Sequence, residues 1–141
     1  MSEANPALLL DTCAVIWISN GDPISTEALD CLKAAEARPG SVWISTISAW
    51  EVATLVARDR LSLSMPVGAW FEALTSLPQI TIAPLRPDLL INSTGLPGQP
   101  PADPADRMII ATARQHGLTI LTRDREILGY AARGHVSAMA C

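Results

Sequence analysis

ADPADRMIIATARQHGLTILTRDREIL, residues 102–128, holds a helix, a stop, a buried strand and the start of a second helix in immediate succession. Asp103 is a capping acid, Pro104 is tolerated at the first helical position, and Asp106 places a negative charge in the first turn. These signals predict a helix over residues 104–116. Gly117 supplies the left-handed residue that ends it, and residues 118–121 are short and apolar enough to form a buried strand. Thr122-Arg123-Asp124 follows at once and opens a short helix over residues 125–131. An acid therefore stands at each end of the unit, Asp106 and Asp124. Each has an ordinary explanation as a helix-start residue.

The same grammar recurs upstream. Residues 7–10 are an apolar run ending on Asp11, followed by the polar pair Thr12-Cys13 and a helical segment over 14–18 that breaks at Asn20-Gly21-Asp22-Pro23. Ser25 opens a second helix with apolar positions at Leu29, Leu32 and Ala35, closed by Arg38-Pro39-Gly40. Residues 42–44 are a strand candidate. Ser48-Ala49-Trp50-Glu51 matches a capping box, which would engage Glu51 with the amide of Ser48 and carry a helix through Ala57 to a solvated end at Arg58, Asp59 and Arg60. Pro66 opens a fourth helix reaching 77–78. Residues 80–83 are a third strand, Pro87 begins a helix through Ile91, residues 94–104 are a proline- and glycine-rich loop, and 136–139 form an edge strand.

Strands alternating with helices predict an α/β fold with a central, mostly parallel sheet, in one domain spanning residues 1–141. In such a fold strand C-termini and helix N-termini share one rim. Asp11, Glu51, Asp106 and Asp124 are all expected there. Four carboxylates on one rim repel one another, and a divalent cation is the usual compensation. Oxygen donors without His or Cys select Mg²⁺, with Mn²⁺ as the second choice, over zinc. His116 belongs to the last turn of its helix, at the opposite rim, and no serine sits in a nucleophile elbow. Cys13 is expected to be a small packed residue.

Composition sets the remaining bounds. A chain of 141 residues with 49% hydrophobic and 17% charged residues should bury about 70% of its unfolded surface in one core. Three cysteines without a CxxC pattern indicate reduced thiols. The N-terminus, MSEANPALLL, carries an acid where a secretory signal is basic, and no apolar run approaches the roughly 18 residues of a membrane span. The cytoplasm is the expected location. A net charge of −4 gives no basic footprint for nucleic acid. Gathering four carboxylates around a cation would leave the rest of the chain neutral, so a nucleic-acid enzyme stays open. Trp17, Trp43, Trp50 and Trp70 are expected mainly in the core, with Trp17 beside Val15 and Ile16 a candidate for an interface.

With these residues placed, the chain resembles the PIN-domain family, and within it the toxins of VapBC toxin-antitoxin modules. LLLDTCAVIW, ISAWEVATLVARDRL, DPADRMIIATAR and LTILTRD are similar, in order and separation, to the four acid-bearing segments of that family. The resemblance implies a three-layer α/β/α domain with Asp11, Glu51, Asp106 and Asp124 as its metal-binding and catalytic acids. Asp103 matches an acid often beside the set, and Thr122 a hydroxyl close to it. It further implies a Mg²⁺-dependent endoribonuclease, a homodimer, and inhibition by a VapB-like antitoxin whose C-terminal segment covers the acidic groove. Arg107 and Arg123 flank two of the acids, as RNA contacts or as carboxylate partners, the latter favoured for Arg107. Arg58 and Arg60 are RNA-contact candidates on a helix end that is otherwise simply solvated. Two positions depart from the pattern: Pro101 stands where many relatives have His, and Asp59 where they have Gly. The competing readings are a catalytically silent binding domain of the same fold for RNA or a partner protein, and a phosphoacceptor using Asp11. The latter lacks a second acid at Cys13, and the only lysine is Lys33.

Overall fold

Three consecutive leucines form β1 (Leu8–Leu10), and all three are buried. A strand apolar on both faces belongs in the middle of a covered parallel sheet. In the computed structural model, which describes residues 6–141, β1 is the central strand of five. The acidic N-terminal residue Glu3, on which the expectation of no secretory signal rests, lies outside the described residues.

The elements follow in the order β1, α1 (Thr12–Ser19), α2 (Thr26–Glu36), β2 (Val42–Ser45), α3 (Thr46–Ala57), α4 (Val67–Thr75), β3 (Ile80–Ala83), α5 (Pro87–Thr94), α6 (Pro104–His116), β4 (Thr119–Thr122), α7 (Arg125–Ala132) and β5 (Ser137–Ala140). The sheet order is β3-β2-β1-β4-β5, and every pairing is parallel, so the expectation of a mostly parallel sheet is met without an antiparallel edge. Leu10 is in register with Ile44 on one side and Leu121 on the other.

Period-two alternation along β1 feeds two cores. Leu8 and Leu10 pack with Ala14 and Val15 of α1 and with Ala28, Leu32 and Ala35 of α2, while Leu9 packs with Ile109, Ile110 and Ala113 of α6 and with Ile127 and Tyr130 of α7. The result is three layers. The buried stripe of α2 begins at Ala28, and Leu29 is turned outward at 37% exposure. No helix of the described residues is long and apolar enough to cross a membrane.

Elsewhere α4 ends at Thr75, short of the expected 77–78, and α5 runs one turn beyond Ile91 to Thr94. Asp59 takes the left-handed conformation after α3, with φ of 56°, which explains why glycine is at home at this position. The core expectation fails for Trp50, which is 64% exposed. Ser48 and Val52 are the buried positions of α3, and Trp50, two residues from each, is carried about 200° around the helix.

The chain moves outward from β1 through β2 to β3, then returns to β4 and β5 on the other side. The order therefore reverses between β1 and β4. In open parallel sheets the crevice at the carboxyl ends of such a strand pair is where ligands bind.

Candidate metal centre

Asp11 leaves the end of β1 and Asp124 follows β4, so one acid stands on each side of this crevice. Both are also helix caps, and the two roles coexist on one side chain. Asp11 Oδ1 accepts the amide of Ala14 at 2.8 Å, and Asp124 Oδ1 accepts the amides of Glu126 at 2.9 Å and Ile127 at 3.0 Å. Capping fixes the carboxylates at the rim. Thr122 Oγ1 donates to Asp11 Oδ2 and accepts the amide of Asp124 at 2.9 Å, which ties the two strand ends together.

Asp106 arrives from the first turn of α6, whose start follows the sequence expectation: Asp103 Oδ2 accepts the Asp106 amide at 2.9 Å, and Gly117 ends the helix with φ of 65°. Asp103 itself is exposed. Glu51 comes from α3, but the expected capping box is absent. Ser45 at the end of β2 caps the helix by accepting the Ile47 amide at 3.1 Å, one turn earlier than expected. Glu51 therefore sits in the second turn, and its Oε1 accepts a hydrogen bond of 2.5 Å from Thr12 Oγ1.

Asp11, Glu51, Asp106 and Asp124 line one cleft of about 240 Å³, with Thr12, Cys13 and Trp17 among the walls. Asp106, Asp124 and Glu126 each offer a carboxylate oxygen within 4.8 Å of the others. Glu126 was not among the sequence candidates. The available signal was its place in the first turn two residues after Asp124, a position that acids take for capping reasons alone.

Burial and mutual repulsion act together on the acids. Burial, joined by the charges of Asp124, Asp103, Glu51 and Asp11, pushes Asp106 up to about 7. Burial also raises Asp11, against the opposing hydrogen bonds of Thr122 and Ala14, and raises Glu51, against that of Thr12. Cys13 is exposed and not a packed residue. Partial burial of its sulfur and the surrounding acids push its thiol up to about 11, which leaves it protonated and a poor nucleophile near neutral pH.

The neighbouring cations are committed elsewhere. Arg107 Nε donates to the Pro101 carbonyl at 2.6 Å, so the expected pairing with a carboxylate is not made. Arg123 Nη2 donates to the carbonyls of Pro23 at 2.7 Å and Cys141 at 3.2 Å, and its guanidinium lies 4.1 Å from the ring centroid of Trp17. Arg58 and Arg60 are exposed. Among the described residues the only ion pair is Arg86–Asp88, on the surface. His116 stacks on Trp43 and His135 on Tyr130, away from the cleft. Arg123 also lines the cleft but bonds to carbonyls, so the hard oxygen donors gathered there make no ion pair among the described residues, and this donor set fits Mg²⁺ or Mn²⁺.

Residues 8–132 match the PIN domain family. The chain is 31% identical over 121 residues to Ribonuclease VapC22 of Mycobacterium tuberculosis, an alignment covering 85% of this chain and 88% of that protein. The fold is similar to the crystal structure of FitAcB from Neisseria gonorrhoeae, with a TM-score of 0.60, 25% identity, and 94% and 96% of the two chains covered. It is also similar to VapBC2 from Rickettsia felis bound to a promoter DNA fragment, with a TM-score of 0.67 over 94% and 97% of the chains, where the identity of 14% speaks for the fold alone.

Proposed function

The chain belongs to the PIN domain family, and from that membership and its carboxylate cleft we propose that it is a metal-dependent endoribonuclease, the toxin of a toxin-antitoxin pair. The observation that carries this reading is the convergence of Asp11, Glu51, Asp106 and Asp124 on one cleft, where none of them is ion-paired among the described residues. The similarity to a protein named as a ribonuclease supports RNA as the substrate. The reading takes residues 1–141 as one such domain in the cytoplasm. The silent-domain alternative finds no support in the site, since none of the four acids is displaced from the cleft.

Asp11, Asp106 and Asp124 would hold the cation, with Glu51 as a further ligand or an orienter of water, and Glu126 stands close enough to join Asp106 and Asp124. When bound, Mg²⁺ or Mn²⁺ acidifies water at neutral pH and offsets charge developing on the phosphate. The protein's own part is positional. Thr122 and the amide of Ala14 hold Asp11 as an acceptor, and Thr12 holds Glu51.

An antitoxin segment carrying basic and apolar residues suits the acidic cleft, which has Trp17 in its wall. A homodimer is the expected assembly.

Purified protein should cleave single-stranded RNA with Mg²⁺ or Mn²⁺, lose that activity to a chelator, and lose it in Asp11→Asn. Equal cleavage by wild type and Asp11→Asn would overturn the reading.

A further inference from the structure

Glu51 is held differently from the other acids of the cleft. Backbone amides fix Asp11 and Asp124. Glu51 has a longer side chain, projects from the second turn of α3, and is bonded among the described residues to one hydroxyl, that of Thr12. Thr12, the first residue of α1, is 7% exposed, and its Oγ1 also lies 2.9 Å from Oγ of Ser48, which is fully buried.

The direction of these bonds follows from proton counting. An ionised carboxylate only accepts, and a hydroxyl carries one proton. Thr12 therefore spends its proton on Glu51, and Ser48 must donate to Thr12. The three groups make a one-way chain that leaves α3 at Ser48, passes through α1 at Thr12, and returns to α3 at Glu51, three residues on and on the same face. It engages Oε1 and leaves Oε2, on a residue that lines the cleft, without a partner among the described residues.

We propose that Thr12 is a positioning residue that orients Glu51 toward the cleft, with Ser48 locking the Thr12 hydroxyl. A bond that served only to join α1 to α3 would be complete with Ser48 and Thr12. The third member points the shared proton at a cleft carboxylate, and a flexible side chain gains a fixed direction from it. The proposal rests on the cation-dependent ribonuclease reading.

The test measures Mn²⁺ affinity by calorimetric titration, together with RNA cleavage, for wild type, Thr12→Val, Thr12→Ser, Ser48→Ala, Glu51→Gln and the Thr12→Val/Glu51→Gln pair. Thr12→Val should weaken Mn²⁺ binding by about tenfold or more. Thr12→Ser, which keeps the proton, should restore it. In the Glu51→Gln background Thr12→Val should cost nothing further in Mn²⁺ affinity, because a residue that acts only through the Glu51 carboxylate has no carboxylate left to orient. Wild-type Mn²⁺ affinity in Thr12→Val, or an undiminished loss in the Glu51→Gln background, overturns the proposal and leaves the functional reading standing. If Thr12→Val fails to fold, Ser48→Ala carries the same comparison, with a loss that vanishes beside Glu51→Gln expected and no loss overturning it. A wild type that neither binds Mn²⁺ nor cleaves RNA removes the functional reading and this proposal together.

Discussion

Thr122 donates its hydroxyl proton to Asp11 across the boundary where the strand order reverses. The same oxygen receives the amide of Asp124, so a single fully buried hydroxyl sets the spacing of two acids far apart in sequence. Replacing it by the isosteric Thr122→Val removes the donor from a carboxylate that is only 8% exposed. Loss of a hydrogen bond to a buried charged group costs about 1.5–3 kcal/mol. Thr122→Val should lower stability by about that amount in urea denaturation and weaken Mn²⁺ binding by roughly 10–100-fold. Thr122→Ser should recover most of both.

A second prediction concerns the metal-free protein. Asp106 moves from its ordinary 3.8 to about 7, chiefly through burial and then through the neighbouring acids. Between those values the folded protein holds a proton that the unfolded chain has lost. Stability from this group is therefore present at low pH and falls as pH rises through about 7. Chemical denaturation with chelator should show this decline from pH 5 to pH 8, and Asp106→Asn should flatten it. Mg²⁺ should reverse the decline in the wild type, because a cation bound by the folded state alone stabilises it. Cleavage activity should be lost in Asp106→Asn even as its metal-free stability at pH 8 improves.

The region from Asp103 to Gly117 was legible because its signals are local. Cap, proline, first-turn acid and left-handed glycine all act within one turn of the helix end, and the structure reproduces each of them. The start of α3 was not legible from the same grammar. Ser48 and Glu51 satisfy the spacing of a capping box, yet β2 runs to Ser45, which stays in register with Ala83 of β3, so the helix begins one turn earlier. Sheet pairing, which no local pattern encodes, freed Glu51 from the cap and left it to Thr12. Topology explains the convergence of Asp11, Glu51, Asp106 and Asp124. Glu126 was obscured because an acid in a first turn is the most ordinary place for one.

Asp103 separates capping from metal chemistry. It accepts the Asp106 amide and is exposed, while adding to the negative field on Asp106. Asp103→Ala should destabilise the protein by about 1 kcal/mol, the usual cost of losing a helix cap. Asp103→Asn keeps the acceptor and removes the charge, so it should retain near-wild-type stability and metal-supported cleavage. A loss of Mn²⁺ binding in Asp103→Asn comparable to that in Asp124→Asn would instead make Asp103 a ligand.

Arg123 adjoins Asp124 in sequence, yet its bonds point to architecture. One guanidinium nitrogen bridges the carbonyls of Pro23 and Cys141 while the plane covers Trp17, so the side chain pins the C-terminal residue beside α1. For an exposed residue these contacts together are worth about 1 kcal/mol. Arg123→Gln should lower stability by that order and shift Trp17 fluorescence, with RNA affinity nearly unchanged. Arg123→Lys should not rescue it, because a compact ammonium cannot lie flat on the indole and reach both carbonyls. Should RNA affinity instead fall steeply in Arg123→Gln, with a shallower dependence on salt and unaltered stability, the guanidinium contacts phosphate and the architectural role is wrong.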